Sequence, residues 1–251
     1  MLYGVFSDVH SNMEALEIVL SFFQKQGVEA FICGGDLVGY GPQPEQCLRK
    51  IRALKNLSVV CGNHDLAVIE RMDPNWFNSC ARAAVFWTRE RLTPQSRRFL
   101  ESLPGKIEHK EFSLVHGTPR KPPEEYLLSA AQFRENVSYV QTWPLFVGHS
   151  HIPLCFKLSG EKGEKVDMLF LEDGEGVKIP CAGFRAAPIA FNPGSVGQPR
   201  DHDPRASCAL FDSKKRTFRI VRLDYDISSV QAKIRETELP EYLALRLAFG
   251  Q

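Results

Sequence analysis

The residues able to do chemistry in this chain stand in five short clusters: Ser7-Asp8-Val9-His10, Gly34-Gly35-Asp36, Gly62-Asn63-His64-Asp65, His116-Gly117 and Gly148-His149-Ser150-His151. Each follows a short apolar run. One histidine after one strand is most simply a hydrogen-bonded core or surface residue, but five coordinated tails of acid, amide or imidazole are a pattern, and they hold five of the seven histidines. Two Asp, one Asn and several His, with no thiolate among them, form a mixed oxygen and nitrogen set. Such a set suits divalent Mn, Fe, Zn, Ni or Co rather than calcium or a structural zinc. Seven such groups exceed what one catalytic zinc takes. Two ions sharing a bridging carboxylate would use them all, and such pairs clamp a phosphoryl group and turn a bound water into hydroxide near neutral pH. Hydrolysis of a phosphoester is therefore the leading reaction.

Five elements must carry these tails. The runs at 2–6, 30–33, 57–61, 112–115 and 144–147 are rich in Val, Phe and Leu and read as buried strands. Between the first two, Met13, Leu16, Leu20 and Phe23 recur at helical spacing, with Ser11 and Glu14 as a capping box and Gly27 as the stop. A second helix follows Pro44. Strand, helix, strand, helix, strand predicts an α/β layered fold with right-handed crossovers. In such sheets ligands gather beyond the carboxyl ends of the strands, so tails distant in sequence converge. Glycines before Asp36, Asn63 and His149 allow sharp turns and close backbone approach. Asp8 and His10, two apart, can point to one side.

Beyond these strands the pattern changes. Residues 73–104 read as a helical insertion. Residues 154–181 alternate across SGEKGEK and read as a β-hairpin excursion, 207–223 as strand, turn, strand, and 228–248 as a final helix interrupted near Pro240.

With 251 residues, 43% hydrophobic and 24% charged, the chain is long enough for a sizeable core. Its net charge of +1 gives no field of the kind that draws proteins to long nucleic acids. No apolar run is long enough to span a bilayer, and the start MLYGVFSDVHSN has neither a basic segment nor a cleavage site. Seven scattered cysteines (Cys33, Cys47, Cys61, Cys80, Cys155, Cys181 and Cys208) form no C-x-x-C pair. They read as core residues of a reducing cytoplasm rather than a disulfide framework.

In this order, D-x-H, G-D, G-N-H-D, H-G and G-H-x-H resemble the calcineurin-like metallophosphoesterase superfamily, and GDLVGYGPQP and NPGSVGQPRD are similar to its small bacterial and archaeal phosphoesterases. The resemblance covers nearly the whole chain, so 1–251 is expected to be one metallophosphoesterase domain. It implies a four-layer sandwich in which two mixed β-sheets pack between helices. It further implies that Asp8, His10 and His151 hold one metal, that Asn63, His116 and His149 hold the other, and that Asp36 bridges them. Manganese is taken as the first choice of metal. His64 matches the family's non-ligand histidine near the scissile bond, and Asp65 the acid that orients its ring. One departure is Ser11, where many members have Gly; that side chain is not a ligand.

Around the site, Asn192 and Ser195 sit in a glycine-rich turn that could cradle an anion, and Arg200 is placed to contact a phosphate. Tyr40 could stack on or bond a substrate, and Arg120 is a further candidate contact. Arg82, Arg89 and Arg91 read as a solvated helix face, Trp76, Phe77 and Trp87 as packing residues, and His109 and His202 as surface residues. The expected substrate is a small phosphodiester or phosphoanhydride, nucleotide-like. The alternatives are a phosphomonoester, an amide or lactone hydrolysed by similar metals, or a noncatalytic metal-binding scaffold.

Overall fold

The computed structural model describes residues 1–160, 165–180, 183–184 and 186–251. Its first strand, β1 (Leu2–Phe6), shows how the layers arise. Tyr3 and Val5 point into one core, while Phe6 faces another, so the strand is buried on both sides and reads as an unbroken apolar run. Gly4 lies under the Phe23 ring of helix α1 (Met13–Lys25), 2.8 Å from where a Cβ would stand, which lets the helix settle closely on the strand.

The chain continues through β2 (Ala30–Cys33), α2 (Pro44–Arg52), β3 (Leu57–Val59) and α3 (Asn63–Val68). β1, β2 and β3 are parallel, as the two crossover helices require. The helical stretch at 73–104 contains α4 (Ser79–Arg91) and α5 (Pro94–Glu101). Then follow β4 (Lys106–Glu108), β5 (Ser113–Val115), α6 (Ala130–Asn136), β6 (Thr142–Trp143) and β7 (Leu145–Phe146). After these come β8 (Pro153–Ser159), β9 (Lys165–Phe170), β10 (Gly176–Lys178), β11 (Gly183–Phe184) and β12 (Ile189–Pro193). The chain closes with the hairpin β13 (Ala206–Asp212) and β14 (Thr217–Leu223), then α7 (Ile227–Arg235) and α8 (Tyr242–Leu245).

Two six-stranded mixed sheets result, in the orders β10-β14-β13-β1-β2-β3 and β4-β5-β7-β12-β8-β9. Aromatic rings fill the space between them: Phe191 stacks on Phe218 at 4.2 Å between centroids, and Tyr3 on Phe211 at 5.5 Å. Helices α1 and α2 cover the first sheet, and α6 lies on the far face of the second through Phe133. The architecture is the α/β four-layer sandwich. A further cluster, around Tyr40, joins α4, α7 and α8. Among the described residues no helix is long and apolar enough to cross a membrane.

Two local readings change. The cap of α1 is Asn12, whose side chain accepts from the Ala15 amide, because Ser11 sits in left-handed backbone one residue too early. The stretch at 154–181 is not one hairpin: β8 and β9 pair with each other, whereas β10 leaves for the edge of the other sheet beside β14. Most of its SGEKGEK turn, and Cys181, lie outside the described residues. The final helix ends at Arg235 and resumes as the short α8. Cys33, Cys47, Cys61, Cys155 and Cys208 are buried thiols.

Candidate metal centre

The five polar tails do converge. Asp8 and His10 leave β1, Asp36 leaves β2, Asn63 and His64 open α3 beyond β3, His116 follows β5, and His149 and His151 follow β7. The backbone pays locally for that convergence: Asp8, His10, Asp36, His149 and His151 all have φ between 48° and 67°. Non-glycine residues adopt this left-handed region at a cost and persist there when surrounding structure holds them, which is common at functional sites. Gly62 makes room for one of them, since a Cβ at that position would overlap the Asp36 carboxylate.

Two groups of ligand atoms form within 4.8 Å of one another: Asp8, His10, Asp36 and His151, and Asp36, His116 and His149. All are buried. The donor chemistry shows what they would hold. His10 Nδ1 lies 3.0 Å from the Val38 carbonyl, His116 Nδ1 2.7 Å from that of Gly34, and His151 Nδ1 2.6 Å from that of Gln198. A carbonyl only accepts, so each Nδ1 carries a proton, and in the neutral ring each Nε2 presents a bare lone pair. Yet His10 Nε2 and His151 Nε2 face each other at 3.2 Å, and His116 Nε2 faces Asn63 Oδ1 at 2.9 Å and His149 Nδ1 at 3.1 Å. Asp36 Oδ2 is buried without a hydrogen bond, 3.6 Å from His10 Nε2 and 3.4 Å from His116 Nε2. In the neutral rings acceptors thus face acceptors, an arrangement that a cation between them satisfies, and this donor set fits divalent metals.

Electrostatics agree. Burial alone would raise Asp36, but His116, His64 and His10 outweigh it and hold the carboxyl well below its usual range. Burial alone would lower His116, but Asp36 lifts it to about 9. Burial pushes Asp8 up to about 7, with His116 opposing, and drives His10 and His151 well down.

Neighbouring groups hold the ligands in place. The His149 amide donates to Asp8 Oδ1 and Oδ2 at 3.1 and 3.2 Å, and the His64 amide to Asp36 Oδ1 at 2.9 Å. Asn192 and Ser195, expected to meet substrate, belong to this scaffolding and do not line the cavity. Asn192 Nδ2 donates to the Gly148 carbonyl and Ser150 Oγ, and Ser195 Oγ donates to the Asp8 carbonyl at 2.8 Å. Asp65 does not touch the His64 ring. Its Oδ1 accepts from the amides of Leu37 and Val38 and its Oδ2 from that of Gly62, so it ties the Asp36 loop to the start of α3.

Over the ligands lies a cavity of about 380 Å³. His64 reaches it, its Nδ1 buried without a partner and its ring packed 4.6 Å from Phe77 and 4.4 Å from Tyr40; burial holds it down at about 4. Tyr40 and Arg200 line the cavity. Trp76, expected to pack, is 77% exposed at its wall. Arg120 does not reach it, because Glu125 and Glu135 engage its guanidinium. Two lining residues carry no sequence signal: Tyr126, stacked on His149 at 3.7 Å, and Arg246, beyond α8.

A family model, the calcineurin-like phosphoesterase superfamily domain, matches residues 1–216, and the chain belongs to that superfamily. It is a metallophosphoesterase, a hydrolase of phosphoester bonds. It is 37% identical over 257 residues to an uncharacterized protein of Methanocaldococcus jannaschii, covering 100% of this chain and 98% of that one. It is 38% identical to a metallophosphoesterase of Sphaerobacter thermophilus whose crystal structure superposes with a TM-score of 0.88, over 100% of this chain and 99% of that one. A hypothetical protein of Pyrococcus horikoshii, 21% identical with a TM-score of 0.79 over 100% and 98% of the two chains, shares the fold.

Proposed function

We propose that this chain is a dinuclear phosphoesterase acting on a small phosphodiester or phosphoanhydride, nucleotide-like, with manganese as the working metal in the cytoplasm. The observation that carries the reading is the pair of ligand groups sharing Asp36. On this reading Asp8, His10 and His151 hold one ion, Asn63, His116 and His149 the other, and Asp36 lies between them. Two such ions, when bound, polarise the phosphoryl oxygens and supply an activated water. The chain's own residues do the rest. Leu37, Val38 and Gly62 amides on Asp65 fix the loop that presents Asp36, and Ser195 and Asn192 fix the loops of Asp8 and His149. His64 donates a proton or hydrogen bond to the leaving oxygen; the negative charge of a bound phosphate against the ring offsets the burial that keeps it neutral.

The whole of 1–251 is read as one domain in which 73–104 walls the cavity. Its volume lies at the small end of ligand pockets, about 300–1,000 Å³, which supports a nucleotide-sized substrate over a phosphoprotein or duplex. The test is manganese-dependent hydrolysis of bis(p-nitrophenyl) phosphate by the wild-type chain and by Asp36→Asn. Wild-type turnover with about two bound metals per chain is expected, and loss of both turnover and tight metal in the variant. A variant holding two metals at full turnover overturns the bridging role, and a wild-type chain that binds metal yet hydrolyses no phosphoester favours the scaffold.

A further inference from the structure

Two arginines on the cavity wall, Arg200 and Arg246, form no ion pair with an acidic side chain among the described residues. Arg200 Nη2 donates to Tyr40 Oη at 3.3 Å and Gln198 Oε1 at 3.0 Å, both neutral, and its Nε is buried with no partner. Arg246 donates from Nε to the Gln251 carbonyl. The two guanidinium carbons lie 5.7 and 6.0 Å from the centroid of the same Tyr40 ring. Elsewhere arginines of similar burial are matched: Arg205 by Asp203 and Asp173, and Arg222 by Asp201. Burial, and next the charge of Arg200, hold Arg246 below its usual range.

The pair sits on the same cavity as Asp36, His149 and His151, so an anion between the arginines lies beside the group at the metal ligands. Asp8 and Asp36 do not spare charge for it, since two divalent ions more than cancel both carboxylates. Guanidinium is also the side chain best matched to phosphate, through paired N–H donors. We propose that Arg200 and Arg246 form a subsite for a second phosphate adjacent to the one being cleaved, which makes phosphoanhydrides of the nucleoside or dinucleoside polyphosphate class the preferred substrates. This rests on the phosphoesterase reading above. The step is hydrolysis: the water oxygen forms a P–O bond, the bridging P–O bond breaks, and the water's protons go one to the leaving oxygen and one to solvent.

Calorimetric titration of the manganese-loaded chain with α,β-methylene-ADP and with AMP tests the subsite without turnover of the anhydride. Wild type is expected to bind the diphosphate analogue at least about tenfold more tightly. Arg246→Gln and Arg200→Gln, on separate segments, should each reduce that preference to near parity. Equal affinity in wild type, or a preference that survives in both variants, overturns the subsite. If that happens while bis(p-nitrophenyl) phosphate is still hydrolysed, only the subsite falls. If the preference holds but no phosphoester is cleaved, the catalytic reading falls and the anion site stands.

Discussion

His64 is the residue whose role separates binding from chemistry. Its amide holds Asp36, but its side chain belongs to neither candidate ligand group, so His64→Ala should leave metal binding unchanged while lowering the rate by about 10² to 10⁴. The loss should be larger for a poor alkoxide leaving group than for nitrophenolate, and parallel metal analysis and kinetics on the two substrates check it. Equal losses would leave only electrostatic stabilisation. The candidate ligands were legible in the sequence because each sits in a short motif at a strand end, where residue type and position both carry information. Asn192, Ser195 and Asp65 were not, because an amide, hydroxyl or carboxylate looks the same whether it meets substrate or clamps a loop. Only the partners decide, and here they are backbone groups of the metal loops. Arg246 and Tyr126 belong to no motif at all.

Among the elements, the loop after β5 carries Tyr126 onto His149, and the Arg120 to Glu125 ion pair ties its two ends. That pairing holds the Glu125 carboxyl down at about 2. A depressed carboxyl contributes stability above its unfolded value, about 4.3, and loses it as pH falls toward the folded value. Glu125→Gln should therefore lower the melting temperature at pH 7, by a few degrees at most because the pair is partly exposed to solvent. The gap between wild type and variant should close as pH drops from about 4 to 2; a gap that persists at the acid end would mean the tie is not ionic. Strands and helices were legible where periodicity was long, as in α1 and β1. The capping error at Ser11 arose because Asn12 also has a cap-forming side chain, and its bond to the Gly197 carbonyl, 185 residues away, is what favours it. The departure of β10 to the other sheet is likewise a long-range pairing that local alternation does not reveal.

At the scale of the molecule, the site sits beyond the carboxyl ends of strands from both sheets, so bound metal links the two halves of the sandwich. Chelation should lower the melting temperature: metal at a hundred times its Kd stabilises by about 2.7 kcal/mol, which for a chain of this size is roughly 5–10 °C. Differential scanning with manganese and with a chelator measures it, and an unchanged transition would show that the folded chain does not hold metal. The layered architecture was legible because doubly buried strands leave continuous apolar runs. The cavity was not, because its walls come from the helical stretch, the Tyr126 loop and the segment after α8, which meet only in three dimensions. The spread of the ligands from Asp8 to His151 has a consequence during synthesis. Neither group is complete until His149 and His151 have been made, so a chain still emerging short of them offers only partial sets such as Asp8, His10 and Asp36. Metal capture thus waits for both sheets to close. The full ligand set of either group is presented only by the finished pocket.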